Sequence, residues 1–239
     1  MEFQKEKSNT LYGSFSNEPI QAFISYNNAH KSRAEDLKIC LEEYCIESFV
    51  AIRDIGQSQE WQSALEDALG SADIMIALLS DDFGQSDWTD QEVGVGIGRE
   101  IPVYPIKIGQ NNPHGFLQKY QAIEGNSQEC AVTIYKLLLG EDEREVVSES
   151  LRQRSKRAYF SQLENLKGNK NFPISNRLAQ FLDAIRTLSD EEEQELVDLY
   201  NGSRYIFDAN EFRQNILSQL FRITDHRYQL DEYSLTRFD

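Results

Sequence analysis

The segment Asp73–Leu79 (DIMIALL) constrains the fold more than any other, because after its aspartate it is apolar on both faces. Such a strand needs cover on both sides, the situation of a central strand in a parallel sheet rather than of a strand with one wetted face. Its surroundings fit the same plan. Ile20–Tyr26 (IQAFISY) reads as a buried strand, followed by helical spacing at Ala34, Leu37, Leu41 and Tyr44 with Cys40 beside them. Ser48–Ile52 reads as a second strand, and Arg53–Glu60 as a polar, turn-like stretch. Trp61, Ala64, Leu65, Ala68 and Leu69 then form an apolar helical stripe. After DIMIALL, a helix beginning near Ser86 carries Trp88, Glu92 and Val93, and Pro102–Ile108 (PVYPIKI) is the next strand. Strands alternating with helices imply a parallel sheet with right-handed crossovers, an α/β, flavodoxin-like layout flanked by helices.

Composition bounds what such a chain does. Of its 239 residues, 40% are hydrophobic, enough to bury a core and to exclude wholesale disorder. Forty acidic against 24 basic side chains give a net charge of −16, so no basic excess exists to displace counterions from nucleic acid or an anionic membrane. The longest apolar run, Ile74–Leu79, is strand-sized and far short of a membrane span. The N-terminal MEFQKEKSNT lacks the apolar stretch of a signal peptide. Cys40, Cys45 and Cys130 cannot all pair within one chain and show no metal-ligand spacing. The expectation is a reduced, cytoplasmic protein with no membrane association.

Three regions are expected: a loose lead-in over residues 1–18, an α/β domain over 19–140, and a smaller, mainly α-helical region over 141–239. The helical pattern Ala131–Leu139 is expected to cover the sheet's edge. Beyond it, strand signals nearly vanish. The charge-mixed stretch Glu141–Arg157 reads as a solvated helix or linker. Leu178, Phe181, Leu182 and Ile185 form one amphipathic stripe. Ser189 with Glu192 has capping-box spacing ahead of Leu196, Leu199 and Tyr200, and the acidic run Asp190–Glu195 suits a helix first turn. Asp208 with Glu211 is a second such box, opening a helix with Phe212, Ile216, Leu220 and Phe221.

Ligands of a doubly wound sheet lie at the carboxyl ends of its strands. The polar groups there are Ser25, Tyr26, Asn27 and Asn28, then Asp54, then Ser80, Asp81 and Asp82, and finally Gly109 and Gln110. Ser86 reads as an N-cap, which sets Trp88 and Glu92 one turn apart on one helical face. A carboxylate one turn from a large aromatic at such a crevice is a possible reaction centre. Spacing alone favours the plainer reading, with Trp88 as a core anchor and Glu92 as a salt-bridged or solvated side chain. Gly94, Gly96 and Gly98 (GVGIG) follow a helix and precede a strand, the reverse of a dinucleotide fingerprint, so close packing or a helix end is expected there. His30, His114 and His226 are scattered and show no partner pattern. Asp81 with Asp82 does not make a metal site by itself, and no metal is expected.

Taken in order, the motifs AFISY (Ala22–Tyr26), FVAIRDIGQSQEW (Phe49–Trp61), ADIMIALLSDDF (Ala72–Phe83), SDWTDQEVG (Ser86–Gly94) and IPVYPIKIG (Ile101–Gly109) resemble a Toll/interleukin-1 receptor (TIR) domain of the bacterial kind. The resemblance covers roughly residues 19–140. Many TIR domains cleave NAD⁺ at the nicotinamide–ribose bond with one glutamate, and the matching position is Glu92. The resemblance implies substrate-binding roles for Trp88, Tyr26, Ser25, Asn27, Asp54, Trp61, Ser80 and Phe83, with Trp88 and Tyr26 offering flat faces to nicotinamide or adenine. It implies that the Arg53–Trp61 loop gates the site or docks on a neighbour. NAD⁺ is then substrate, and no resident cofactor is expected. The implied activity is a glycohydrolase or cyclase, giving ADP-ribose or a cyclic ADP-ribose signal in antiphage immunity. Implied partners are further copies through TIR self-association and a phage-derived trigger or partner effector, with residues 141–239 sensing or oligomerising. Where some NAD-cleaving relatives carry basic residues after the first-strand tyrosine, this chain has Asn27 and Asn28, which donate hydrogen bonds without charge assistance.

Two other functions fit parts of the pattern. A non-enzymatic TIR adaptor needs only the loop after the second strand. A phospho-acceptor receiver domain shares the layout but needs acidic residues at the first strand end to hold a divalent cation, where this chain has Ser25-Tyr26-Asn27-Asn28. A nucleoside-processing transferase is a further enzyme class that breaks N-glycosidic bonds.

Overall fold

The computed structural model describes residues 19–50, 59–110, 112–141, 147–166, 172–203, 210–231 and 234–238. They form two compact units. The first spans 18–158 with 184–186, and the second holds 159–183 and 187–239.

The first unit is built on a parallel sheet of β1 (Ile20–Ser25), β2 (Ile46–Val50), β3 (Ile74–Leu79) and β4 (Val103–Lys107), in the order β2-β1-β3-β4. All six residues of β3 are buried, as its two-sided apolarity requires. Helices α1 (Lys31–Glu42), α2 (Gln59–Ser71), α3 (Asp87–Gly98) and α4 (Ser127–Lys136) fill the connections. In α1, Ala34, Leu37 and Leu41 turn inward as their spacing predicts. In α2, Leu65 is buried and Trp61, Ala68 and Leu69 are half-buried, whereas Ala64, also assigned to the stripe, is exposed. Helix α4 packs on α1, where Tyr44 and Tyr135 stack with ring centroids 5.3 Å apart. β4 is at the edge of the four-stranded sheet, and Pro105, which has no N–H to give, is placed there. Its free side meets a single parallel bridge, Ile106 to Ile123, closed by Lys107 N to Ile123 O at 2.9 Å and Ile123 N to Pro105 O at 2.8 Å.

One face of this sheet carries Phe23, Met75, Ala77, Leu79 and Val103, packed with Leu65 and Val93. There Gly96 is required by close approach: a Cβ on it would stand 2.8 Å from Met75 Sδ. The three glycines of GVGIG lie within α3 itself: Gly96 is the closely packed one, Gly98 is at the helix end, and a Cβ on Gly94 would meet nothing.

Helix α5 (Glu149–Asn165) departs from the expectation of a solvated segment. In its first half Leu151, Ser155, Lys156 and Ala158 are buried. Arg154 donates to both oxygens of Asp73, at 2.7 and 2.9 Å, and to Pro19 O at 2.7 Å, while Tyr135 Oη donates to Ser155 O at 3.0 Å. This half of α5 belongs to the first unit.

The second unit continues with α6 (Phe172–Ala179), α7 (Asp190–Gly202) and α8 (Asn210–Thr224). Leu178, Phe181 and Leu182 of this unit and Ile185 of the first are all buried, but they are not one helix: α6 ends at Ala179 and a 3₁₀ turn follows at Leu182–Ala184. The Ser189–Glu192 capping box forms at the start of α7, with hydrogen bonds of 3.2 and 2.8 Å. Asp208 of the second proposed box lies outside the described residues, and Phe221 is about half exposed rather than on the buried face of α8. An antiparallel hairpin, β5 (Arg227–Leu230) and β6 (Leu235–Phe238), adds strands to a unit expected to be helical.

Candidate functional site

Helix α3 starts where the sequence places it. Ser86 adopts an extended backbone and its hydroxyl accepts from Trp88 N at 3.4 Å. Thr89, fully buried, donates to Phe83 O and Ser86 O, tying the turn before the helix to its first residues. That start directs Glu92 to the carboxyl end of β1, where it is 1% exposed. Ser25 Oγ donates to Glu92 Oε2 at 2.6 Å, a bond between two buried groups.

The structure brings together most of the candidate residues, with different degrees of access. Ser25, Ser80 and Phe83 are buried. Tyr26 is 0% exposed, so in this arrangement its ring is core and offers no face to a ligand, contrary to the expectation. The accessible aromatics are Trp88 and Trp61, both partly exposed and packed edge to face with centroids 5.4 Å apart. Asp54 and most of its loop lie outside the described residues.

A polar network closes the neighbouring strand ends. Asn27 accepts from Ala29 N at 3.1 Å and donates to Asp82 O at 3.2 Å. Ser80 donates to the Asp82 carboxylate, and His30 Nε2 lies 3.4 Å from it. The Ser80 hydroxyl, against a smaller opposing effect of desolvation, holds Asp82 below its ordinary value. Asp81 accepts from Gln110 N at 2.6 Å, and Gly109 is pressed so close to Asp81 that a Cβ would meet its backbone nitrogen at 2.8 Å. His30 was missed as a partner of this network; only its place shortly after the first strand marks it in the sequence. His114 lies edge-on to Phe83 and 3.6 Å from Asp90. Among the described residues no group of three or more His, Cys, Asp or Glu side chains is placed to hold a metal.

Beyond β4 lies a surface cavity of about 710 Å³, lined in part by Lys107, Asn112, Gln118 and Tyr120. It contains none of the candidate residues. No helix among the described residues is long and apolar enough to cross a membrane.

Residues 22–138 match the family model described as "TIR domain". The chain carries a TIR domain. A solved structure, that of the TIR domain of the Toll-related receptor TRR-2 from the lower metazoan Hydra magnipapillata, is similar at 20% identity, covering 53% of this chain and 98% of that one with a TM-score of 0.40. No curated protein matches the chain. The TIR domain thus comprises β1 to α4, and the Ser25–Glu92 pair lies inside it.

Proposed function

We propose that the TIR domain cleaves NAD⁺ at the nicotinamide–ribose bond, with Glu92 as the catalytic carboxylate. One observation carries this reading. Glu92, 1% exposed, is the only buried carboxylate among the described residues of the first unit, and it meets Ser25 at the carboxyl end of β1. Withdrawing a carboxylate from water is expensive unless it is hydrogen-bonded, so a fold that keeps one there gains something by it.

The chemistry needs little else. As the C–N bond breaks, its electron pair passes to the pyridinium nitrogen, and nicotinamide leaves neutral without a general acid. The ribose becomes oxocarbenium-like, and an adjacent anion stabilises that charge. Water then captures C1, releasing a proton and giving ADP-ribose, or a nitrogen of the adenine captures it and closes a cyclic product. Trp88 and Trp61 supply the accessible aromatic surface for the bases. On this reading the reaction serves antiphage defence, by depleting NAD⁺ or by making a messenger, and residues 141–239 sense the trigger or drive assembly. The support for that context is the likeness of the motifs to bacterial TIR proteins.

The adaptor reading draws on the same burial, since a carboxylate with 1% exposure meets no ligand until the crevice opens. Concentrated full-length protein incubated with NAD⁺, with and without crowding agents, separates the two. Chromatography is expected to show nicotinamide release, reduced at least about 100-fold in Glu92→Ala. The co-product distinguishes hydrolysis from cyclisation. Equal turnover in both proteins removes Glu92 from its role, and silence under every condition favours the adaptor. Deleting residues 187–239, which spares the part of α5 that belongs to the first unit, is expected to change oligomeric state or NAD⁺ loss in infected cells; no change in either removes the role given to the C-terminal region.

A further inference from the structure

We infer that Ser25 is a positioning residue for Glu92, fixing its carboxylate in a single orientation at the end of β1. The inference rests on the NAD⁺ reading of the site. Ser25 is 0% exposed, and its hydroxyl donates to the Glu92 carboxylate itself. At 2.6 Å the bond has the length of an O–H···O⁻ contact, in which an ionised acceptor shortens and strengthens the interaction.

The surroundings explain why a serine ends this strand. Side chains alternate along β1, so Phe23 and Ser25 share a face, and Phe23 packs in the cluster with Met75, Ala77 and Val93. The cross-strand neighbour of Ser25 is Ala77, whose methyl leaves room over the strand end for a side chain descending from α3. A branched aliphatic residue at 25 would set the carboxylate against hydrocarbon with one donor fewer. The backbone of α3 is already fixed, by Thr89 at its first turn and by the contact of Gly96 with Met75 near its end. The hydroxyl of Ser25 holds Oε2 of the Glu92 carboxylate from the end of β1, so the negative charge is placed relative to the reacting ribose carbon.

The test uses the full chain and the graded series Ser25→Cys and Ser25→Ala, which keeps the volume nearly constant while weakening and then deleting the donor. With NAD⁺ as substrate, kcat is expected to fall on the order of 10- to 100-fold in Ser25→Ala, with Ser25→Cys between it and the wild type and KM nearly unchanged throughout. Thermal unfolding of Ser25→Ala, Glu92→Gln and the double variant is expected to be non-additive, the double losing less than the two singles together. Unchanged kcat in Ser25→Ala overturns the inference while leaving the NAD⁺ reading intact. A raised KM with unchanged kcat overturns it too, and returns Ser25 to direct substrate contact. If the wild type turns over no NAD⁺ under any condition, both fall, and non-additive unfolding then marks the bond as purely structural.

Discussion

Asp82 illustrates how a crowded strand end sets the charge of one side chain. The Ser80 hydroxyl holds its carboxyl below the ordinary 3.8, with a smaller contribution from His30. A carboxylate depressed in the folded state adds stability that is present above the unfolded value, and that stability is lost as pH falls through the lower folded value. In Ser80→Ala the Asp82 midpoint is expected to rise toward 3.8, so the loss begins at higher pH; carboxyl-carbon NMR titration reads the shift directly. The same residues show what a sequence conveys. Glu92 and Trp88 were legible because an N-cap and a helical period are local signals. Glu193 was not. It sits in an acidic run that reads as a solvated first turn, yet it is 4% exposed and holds His226 Nδ1 at 2.8 Å and the Tyr228 hydroxyl. Burial, and then this carboxylate, push the Tyr228 phenol above its ordinary range. No local pattern announces a partner 33 residues away.

Elements were readable where periodicity and burial coincide, as in β3, α1 and α7. They were misread where a tertiary contact decides. The stripe Leu178–Ile185 keeps its period although α6 stops at Ala179, and all four side chains are buried on either side of that helix end. The hairpin escaped notice because its strands are four residues each and half polar. It is fastened from outside: the side chain of Asn201 donates to Leu235 O at 2.9 Å and accepts from Leu235 N at 2.7 Å, taking the part of a neighbouring strand. The start of helix α5 read as a solvated helix or linker because its charges are dense, though its Arg154 is engaged with Asp73 and Pro19. Arg154→Met keeps the stem and deletes these charge-assisted bonds, and should lower stability by about 1–3 kcal/mol. Urea unfolding followed at a reporter in the first unit measures it, with an exposed change such as Lys38→Met as the reference.

At the scale of the whole molecule, the net charge of −16 excludes a general polyanion binder but not a site for one dinucleotide, since a crevice responds to its own lining more than to the distant field. Legible from the start was the parallel sheet of a flavodoxin-like layout, and its order in the structure is β2-β1-β3-β4. That order has a kinetic side. Ala22 must find Ile74 across α1, β2 and α2, and Met75 must find Val103 across α3, whereas Leu230 needs only to turn back on Leu235. Closing long loops before any contact rewards them makes the sheet the slow step of folding and, once formed, the last structure to open. In hydrogen exchange, amides of Ile74–Leu79 should therefore exchange only through global unfolding of their unit, and those of Arg227–Leu230 well before them. The protein's clock is set by its middle strand.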